Sequence, residues 1–168
     1  MLFRSGVPYA GVLFVGLMID ASGAPSVVEF NVRFGDPETQ ALMLASEGDL
    51  VPLLDGAANG RLAPGTLATS HASVCVVLAS AGYPRSTESG KRIRGLEAAE
   101  SDPDVVVFHA GTRREGAGFV SAGGRVLGVT ARGPDIAAAA ARAYAAADRI
   151  HFDGMQLRRD IAARALGR

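Results

Sequence analysis

At 168 residues the chain can form one domain, or one small domain with a piece of another. Hydrophobic residues make up 48% of it, enough for a packed core, and its 17 basic residues balance 17 acidic ones to a formal net charge of zero. That balance removes the electrostatic argument for a nucleic-acid or anionic-membrane partner, so any phosphate binding must be local.

Residues 1 to 10 carry no periodic pattern. Arg4, the apolar run Val12 to Ile19 and Ala21-Ser22-Gly23-Ala24 imitate a secretory leader. The same residues also read as a hairpin, with strands over 11–19 and 26–34 joined by Asp20-Ala21-Ser22-Gly23. The run is too short for a membrane-spanning helix, which needs about 20 residues. Because Val12 to Ile19 is apolar on both faces, the strand is expected to be covered from both sides. Gly16 within it leaves room for a neighbouring backbone or ligand.

The second strand alternates. Val28, Phe30, Val32 and Phe34 point to one side, predicted to be core, and Glu29, Asn31 and Arg33 point to the other. Residues two apart on a strand face lie about 7 Å apart, so the polar groups form an ordered row. Glu29 and Asn31 supply two hard oxygen ligands, enough for Mg²⁺ when phosphate oxygens and water complete its octahedron. Arg33 adds a charged fork suited to a carboxylate or phosphate. The plainer alternative is a solvated Glu29–Arg33 pair, worth under about 1 kcal/mol.

Gly35-Asp36-Pro37 breaks the strand, with Asp36 placed to cap a helix starting at Pro37 and Glu38 in its first turn. That helix runs to Ser46 with Ala41, Leu42, Leu44 and Ala45 inward. A second helix spans Asp49 to Ala58 and fades at Asn59-Gly60. Pro64-Gly65 marks a turn, and the expected domain boundary lies near residue 62, giving domains 1–62 and 63–168.

From His71 the texture is strand and turn. Ala72 to Ala79 is a buried strand; Cys75 within it is the single cysteine, which excludes an intrachain disulfide and reads as a structural thiol in a cytoplasmic protein. The stretch 85–95 is a polar loop in which Lys91, Arg92 and Arg94 are solvated. Asp104 to His109 is a strand, and His109 has no second ligand at metal spacing. Phe119 to Ser121 and Arg125 to Thr130 are expected to pair across Ala122-Gly123-Gly124, whose glycines lack a dinucleotide fingerprint. Gly133-Pro134-Asp135 opens an alanine-rich helix to about Arg149, with Ile136, Ala140, Ala143, Ala147 and Ile150 on one face. Phe152 to Gln156 is a turn and short strand, and Asp160 to Leu166 a closing helix. Strands and helices mix without β-α-β alternation, so the predicted fold class is α+β.

The string Glu29-Phe30-Asn31-Val32-Arg33-Phe34-Gly35-Asp36-Pro37-Glu38-Thr39-Gln40 resembles the signature of phosphoribosylamine-glycine ligases, the glycinamide ribonucleotide synthetases of the ATP-grasp superfamily. Gly11-Val12-Leu13-Phe14-Val15-Gly16-Leu17-Met18 precedes it in family order. Gly82-Tyr83-Pro84, Gly90, Ile93-Arg94-Gly95 and His109-Ala110-Gly111-Thr112 follow it in the same order. The resemblance implies that 1–62 is the C-terminal part of an ATP-grasp domain, antiparallel strands plus helices, and 63–168 a small mixed β/α C-terminal domain.

It further implies an ATP-dependent ligation of glycine to 5-phosphoribosylamine through glycyl phosphate. Glu29 and Asn31 would be the Mg²⁺ or Mn²⁺ ligands, and Arg33 and Asp36 the catalytic residues. Glu38 would serve the ATP site. The family's N-terminal domain, central segment and ATP-covering lid have no counterpart here, so the isolated chain is expected to carry half a site and negligible activity. They would be partners in cis or trans. Glu-x-Asn-x-Arg is shared more widely, which leaves open another ATP-grasp carboxylate-amine ligase, or a non-catalytic binding module.

Overall fold

The computed structural model describes residues 6, 9–63, 65 and 67–167. Arg4 and Pro8, and Pro64 of the predicted Pro64-Gly65 turn, lie outside the described residues. The fold is α+β with antiparallel sheets, in two compact units: Met1–Thr39 with Glu47–Ala68, and Gln40–Ser46 with Thr69–Arg168.

The first unit is built on the antiparallel hairpin β1 (Phe14–Ile19) and β2 (Pro25–Asn31). Its turn forms where Asp20 supplies an acceptor close to three donors. Asp20 Oδ1 accepts from the Ser22 hydroxyl at 2.6 Å, the Ser22 amide at 2.8 Å and the Ala24 amide at 3.0 Å. Gly23 takes the left-handed conformation that closes the loop (φ +85°). These hydrogen bonds, led by the Ser22 hydroxyl, hold the Asp20 carboxyl below its ordinary range.

The expected burial of this hairpin is not found. Val28, Phe30 and Val32 are 63%, 57% and 57% exposed, and Leu17, Met18 and Ile19 are also exposed. The alternation that predicts a core face is present, but a two-stranded ribbon has no layer of its own to bury that face, and no other element of the first unit supplies one.

In the same unit α2 (Val51–Ala58) starts two residues later than expected, with Asp49 Oδ1 accepting from the Val51 amide at 2.8 Å. It ends where anticipated: Asn59 Nδ2 donates to the Asp55 carbonyl at 2.9 Å and Gly60 turns left-handed. Between hairpin and α2 in sequence lies α1 (Glu38–Ala45), whose first two residues belong to the first unit and the rest to the second. It begins at Glu38 rather than Pro37. Leu42, predicted inward, is exposed. Two-residue strands β3 (Ser46–Glu47) and β4 (Ala68–Thr69) bracket α2.

The second unit holds every fully buried apolar side chain among the described residues. Strand β5 (Ala72–Ala79) is followed by β6 (Arg92–Ile93), α3 (Leu96–Ala99), β7 (Val105–His109), β8 (Thr112–Glu115), β9 (Gly118–Ser121), β10 (Arg125–Gly133) and α4 (Ile136–Ala147). One antiparallel sheet runs β5-β10-β7 and a second β6-β9-β8. Facing pairs Val74–Ala131, Val76–Val129 and Leu78–Leu127 meet the alanine face of α4, where Ala139, Ala143 and Ala147 are fully buried. Methyl-sized side chains let that helix lie close to the sheet. On the sheet's other face a Cβ at Gly128 would lie 3.2 Å from Cys75 Sγ and 3.8 Å from Gln40 Cγ, and Ser73 donates its hydroxyl to the Ala41 carbonyl, so Gln40 and Ala41 of α1 touch this face.

Three expectations for this unit change. Strands β9 and β10 do not pair. The Ala122-Gly123-Gly124 link carries the chain from one sheet to the other, with β9 taking β6 and β8 as partners and β10 taking β5 and β7. The glycines permit close backbone approach: Ser80 donates its amide to the Gly124 carbonyl at 2.8 Å and its hydroxyl to the Gly123 carbonyl at 3.0 Å. On α4, which opens at Asp135 as expected and is capped by its side chain (Ala138 amide to Oδ1, 2.7 Å), Ile136 is exposed while Ile150 is buried. The predicted closing helix is a 3-10 turn over Ala163–Leu166.

Candidate functional site

Strand β2 carries Glu29 and Asn31 on one face, opposite Gly16 and Phe14 of β1. The register slips beside this pair, since Gly16 faces Glu29 while Leu17 faces Val27; Val28 is the extra residue of a bulge. A Cβ on Gly16 would lie 3.0 Å from Glu29 Cγ and 3.7 Å from its Oε1. The Glu29 side chain is thus laid over the space the glycine leaves. No hydrogen bond or ion pair among the described residues engages its carboxylate.

Arg33 lies past the end of β2, in a bend, and its Nη1 donates to the Phe34 carbonyl at 3.0 Å. The ordered row predicted from the alternation therefore holds two members, with the guanidinium beyond the ladder. A Glu29–Arg33 ion pair is not formed among the described residues.

Downstream, Gly35 is buried and its carbonyl accepts from both the amide (3.1 Å) and the hydroxyl of Thr39. The Glu38 carboxylate folds back over Gly35: a Cβ there would lie 2.5 Å from Glu38 Oε2. Asp36 is exposed, and the Asp36–Pro37 peptide is cis.

Among the described residues no group of three or more His, Cys, Asp or Glu side chains could hold a metal ion. Glu29 and Asn31 give one carboxylate and one amide oxygen, a hard donor set that suits a divalent cation sharing its shell with phosphate oxygens and water. The cradle that a Cβ at Gly16 would fill leaves that carboxylate uncommitted. A groove of about 440 Å³, lined mainly by Phe34, Leu50, Leu53, Leu54, Ala57 and Leu62, contains none of the predicted site residues.

The other polar candidates are structural. His109 Nδ1 lies 2.9 Å from the Thr112 hydroxyl, and its ring sits 4.4 Å from that of Phe119. Lys91 pairs with Glu88 at 3.2 Å.

Sequence reading missed an ion cluster that ties β7, β10 and α4 together. Arg132 Nε meets Asp104 Oδ1 at 2.8 Å. Arg142 reaches Asp104 and Asp102, both at 3.1 Å, and donates to the Arg132 carbonyl at 2.6 Å. Arg132, followed by Arg142, holds the Asp104 carboxyl below its ordinary range. The partners are too far apart in sequence to leave a local signal.

Among the solved structures that this fold matches is the crystal structure of phosphoribosylamine–glycine ligase from Thermotoga maritima. The match has a TM-score of 0.80 and 33% identity, covering 94% of this chain and 38% of that one. In fold the chain is therefore of the ligase class, corresponding to a C-terminal region. The family model for the phosphoribosylglycinamide synthetase C domain matches residues 73–164, over half the chain, and that for the phosphoribosylglycinamide synthetase ATP-grasp (A) domain matches 1–39.

The chain belongs to the phosphoribosylglycinamide synthetase family. It is 55% identical over 166 residues to phosphoribosylamine–glycine ligase of Phenylobacterium zucineum, covering 97% of this chain and 39% of that protein. It is 51% identical over 167 residues to the chloroplastic phosphoribosylamine–glycine ligase of Arabidopsis thaliana, covering 97% and 31%. The chain thus spans roughly a third to two fifths of the length of these relatives. Among the described residues no helix is long and apolar enough to cross a membrane.

Proposed function

We propose that this chain is the C-terminal portion of an ATP-dependent ligase that joins glycine to 5-phosphoribosylamine, giving glycinamide ribonucleotide in purine biosynthesis in the cytoplasm. Residues 1–62 close the ATP-grasp domain and 63–168 form the C-terminal domain. In the reaction a glycine carboxylate oxygen takes the γ-phosphoryl group of ATP and ADP leaves. The amine nitrogen of phosphoribosylamine then forms the C–N bond, phosphate departs from the acyl carbon, and the nitrogen gives up a proton.

The observation that carries this reading is the Glu29–Asn31 pair on one face of β2, with the Glu29 carboxylate uncommitted. These two residues would hold Mg²⁺ or Mn²⁺, which supplies charge neutralisation at phosphate oxygens when bound. Arg33, whose guanidinium makes one backbone hydrogen bond, has donors left for the glycine carboxylate or its acyl phosphate. Asp36, which is exposed, would serve the substrate side of the site, and Glu38 the nucleotide side. Holding two anionic substrates together is the main task, and no covalent nucleophile takes part.

The relatives' remaining length supplies the other half of the site, in cis or in trans, so turnover by this chain alone is negligible. Neither nucleic acid nor membrane is a partner. Calorimetric titration with Mg²⁺–ATP tests the reading: wild-type chain binds and Glu29→Ala does not. Equal binding by both would refute the assignment of Glu29.

A further inference from the structure

We infer that Gly16 is a positioning residue for Glu29: lacking a side chain, it provides the seat in which the Glu29 side chain lies and so sets where that carboxylate meets a divalent cation. The inference rests on the reading of Glu29 as a cation ligand.

Gly16 stands directly across the ladder from Glu29, at the point where the register slips. The three nearest heavy atoms to a Cβ at Gly16 all belong to Glu29: Cγ at 3.0 Å, Oε1 at 3.7 Å and the amide nitrogen at 3.8 Å. Optimal contact between carbon atoms is about 3.5–4.0 Å, so a methyl group there would press on the side chain's stem. The backbone at Gly16 lies outside the left-handed region, so its conformation does not demand glycine. What excludes a larger residue is the Glu29 side chain itself. That side chain is exposed and can swing away without moving the strand. An added methyl would therefore displace the carboxylate rather than unfold the hairpin. The bulge beside it adds local twist, a common device for re-aiming a side chain next to a site.

The test is binding of Mn²⁺–ATP by the full chain, followed by electron paramagnetic resonance together with thermal unfolding, for wild type, Gly16→Ala, Gly16→Val and Glu29→Ala. Gly16→Ala is expected to weaken binding about tenfold, the scale seen when a ligand's supporting residue is lost. Its unfolding temperature should stay the same or rise, because alanine is favoured over glycine inside a strand. Gly16→Val, which fills the seat further while still suiting a strand, should weaken binding more than Gly16→Ala. Wild-type affinity in Gly16→Ala, with binding abolished in Glu29→Ala, overturns this inference and leaves the cation reading intact. Binding weakened by Gly16→Ala but no further by Gly16→Val also overturns it, since displacement of the side chain must grow with the volume placed in its seat. No Mn²⁺–ATP binding by wild type, or undiminished binding in Glu29→Ala, sinks the cation reading and this inference with it.

Discussion

The uneven burial of the two units makes a sharp prediction about what holds the chain together. Leu127 is fully buried between β5 and the alanine face of α4, opposite Leu78. Truncating such a side chain removes its transfer free energy and leaves a cavity, a cost of about 2–5 kcal/mol, so Leu127→Ala should lose about 3 kcal/mol. For a unit of roughly 100 residues each kcal/mol is worth about 4–8 °C, which puts the fall in Tm at about 12–24 °C. Phe30 is the larger residue but is 57% exposed. Complete burial of such a side chain is worth about 1.5–3 kcal/mol, so with less than half of it covered Phe30→Ala should cost about 1 kcal/mol or less. Urea unfolding followed by circular dichroism, with the slope compared between variants, reads both values. If Phe30→Ala destabilised the cooperative transition as much as Leu127→Ala, the conclusion that the second unit carries the stability would be wrong.

Two further outcomes follow from polar groups in the same unit. Asp104 has its folded pKa depressed by Arg132 and Arg142, so it binds fewer protons folded than unfolded near the ordinary carboxylate value. Its contribution is complete above the unfolded pKa of about 4 and fades as pH falls through the lower folded value. Asp104→Asn should therefore be less stable at neutral pH, and the gap from wild type should shrink on acidification below about pH 4. A gap constant with pH would contradict the ion-cluster account. Asp135→Ala removes the oxygen that accepts from the Ala138 amide and should cost about 1 kcal/mol in denaturant unfolding, whereas Asp135→Asn should recover most of it.

How far the residues alone carried depends on whether the signal was local. Ala72 to Ala79 is a strand over the very span expected, because a run of β-branched and aliphatic residues ended by Ser80-Ala81-Gly82 needs no distant information. The Asp20 turn and the helix start at Asp135 were legible for the same reason: the groups that define each lie within four residues of each other. The family was legible because Glu29 to Gln40 is a contiguous string. Within the site, the alternation of β2 placed Glu29 and Asn31 on one face, but it did not reveal that the strand ends at Asn31 and leaves Arg33 in a bend.

What the chain order could not disclose was partner choice. Phe119 to Ser121 and Arg125 to Thr130 look like a hairpin, since three residues separate them. Tertiary structure instead gives β9 the partners β6 and β8 and β10 the partners β5 and β7, because ladder pairing and burial on α4 outweigh proximity. Likewise, alternation told which side of β2 is apolar, whereas only packing decided that Val28, Phe30 and Val32 stay exposed. The Asp102, Asp104, Arg132 and Arg142 cluster shows the same division. Periodicity and capping belong to a few consecutive residues; strand partners, cover and charge neighbours arise only when distant segments meet.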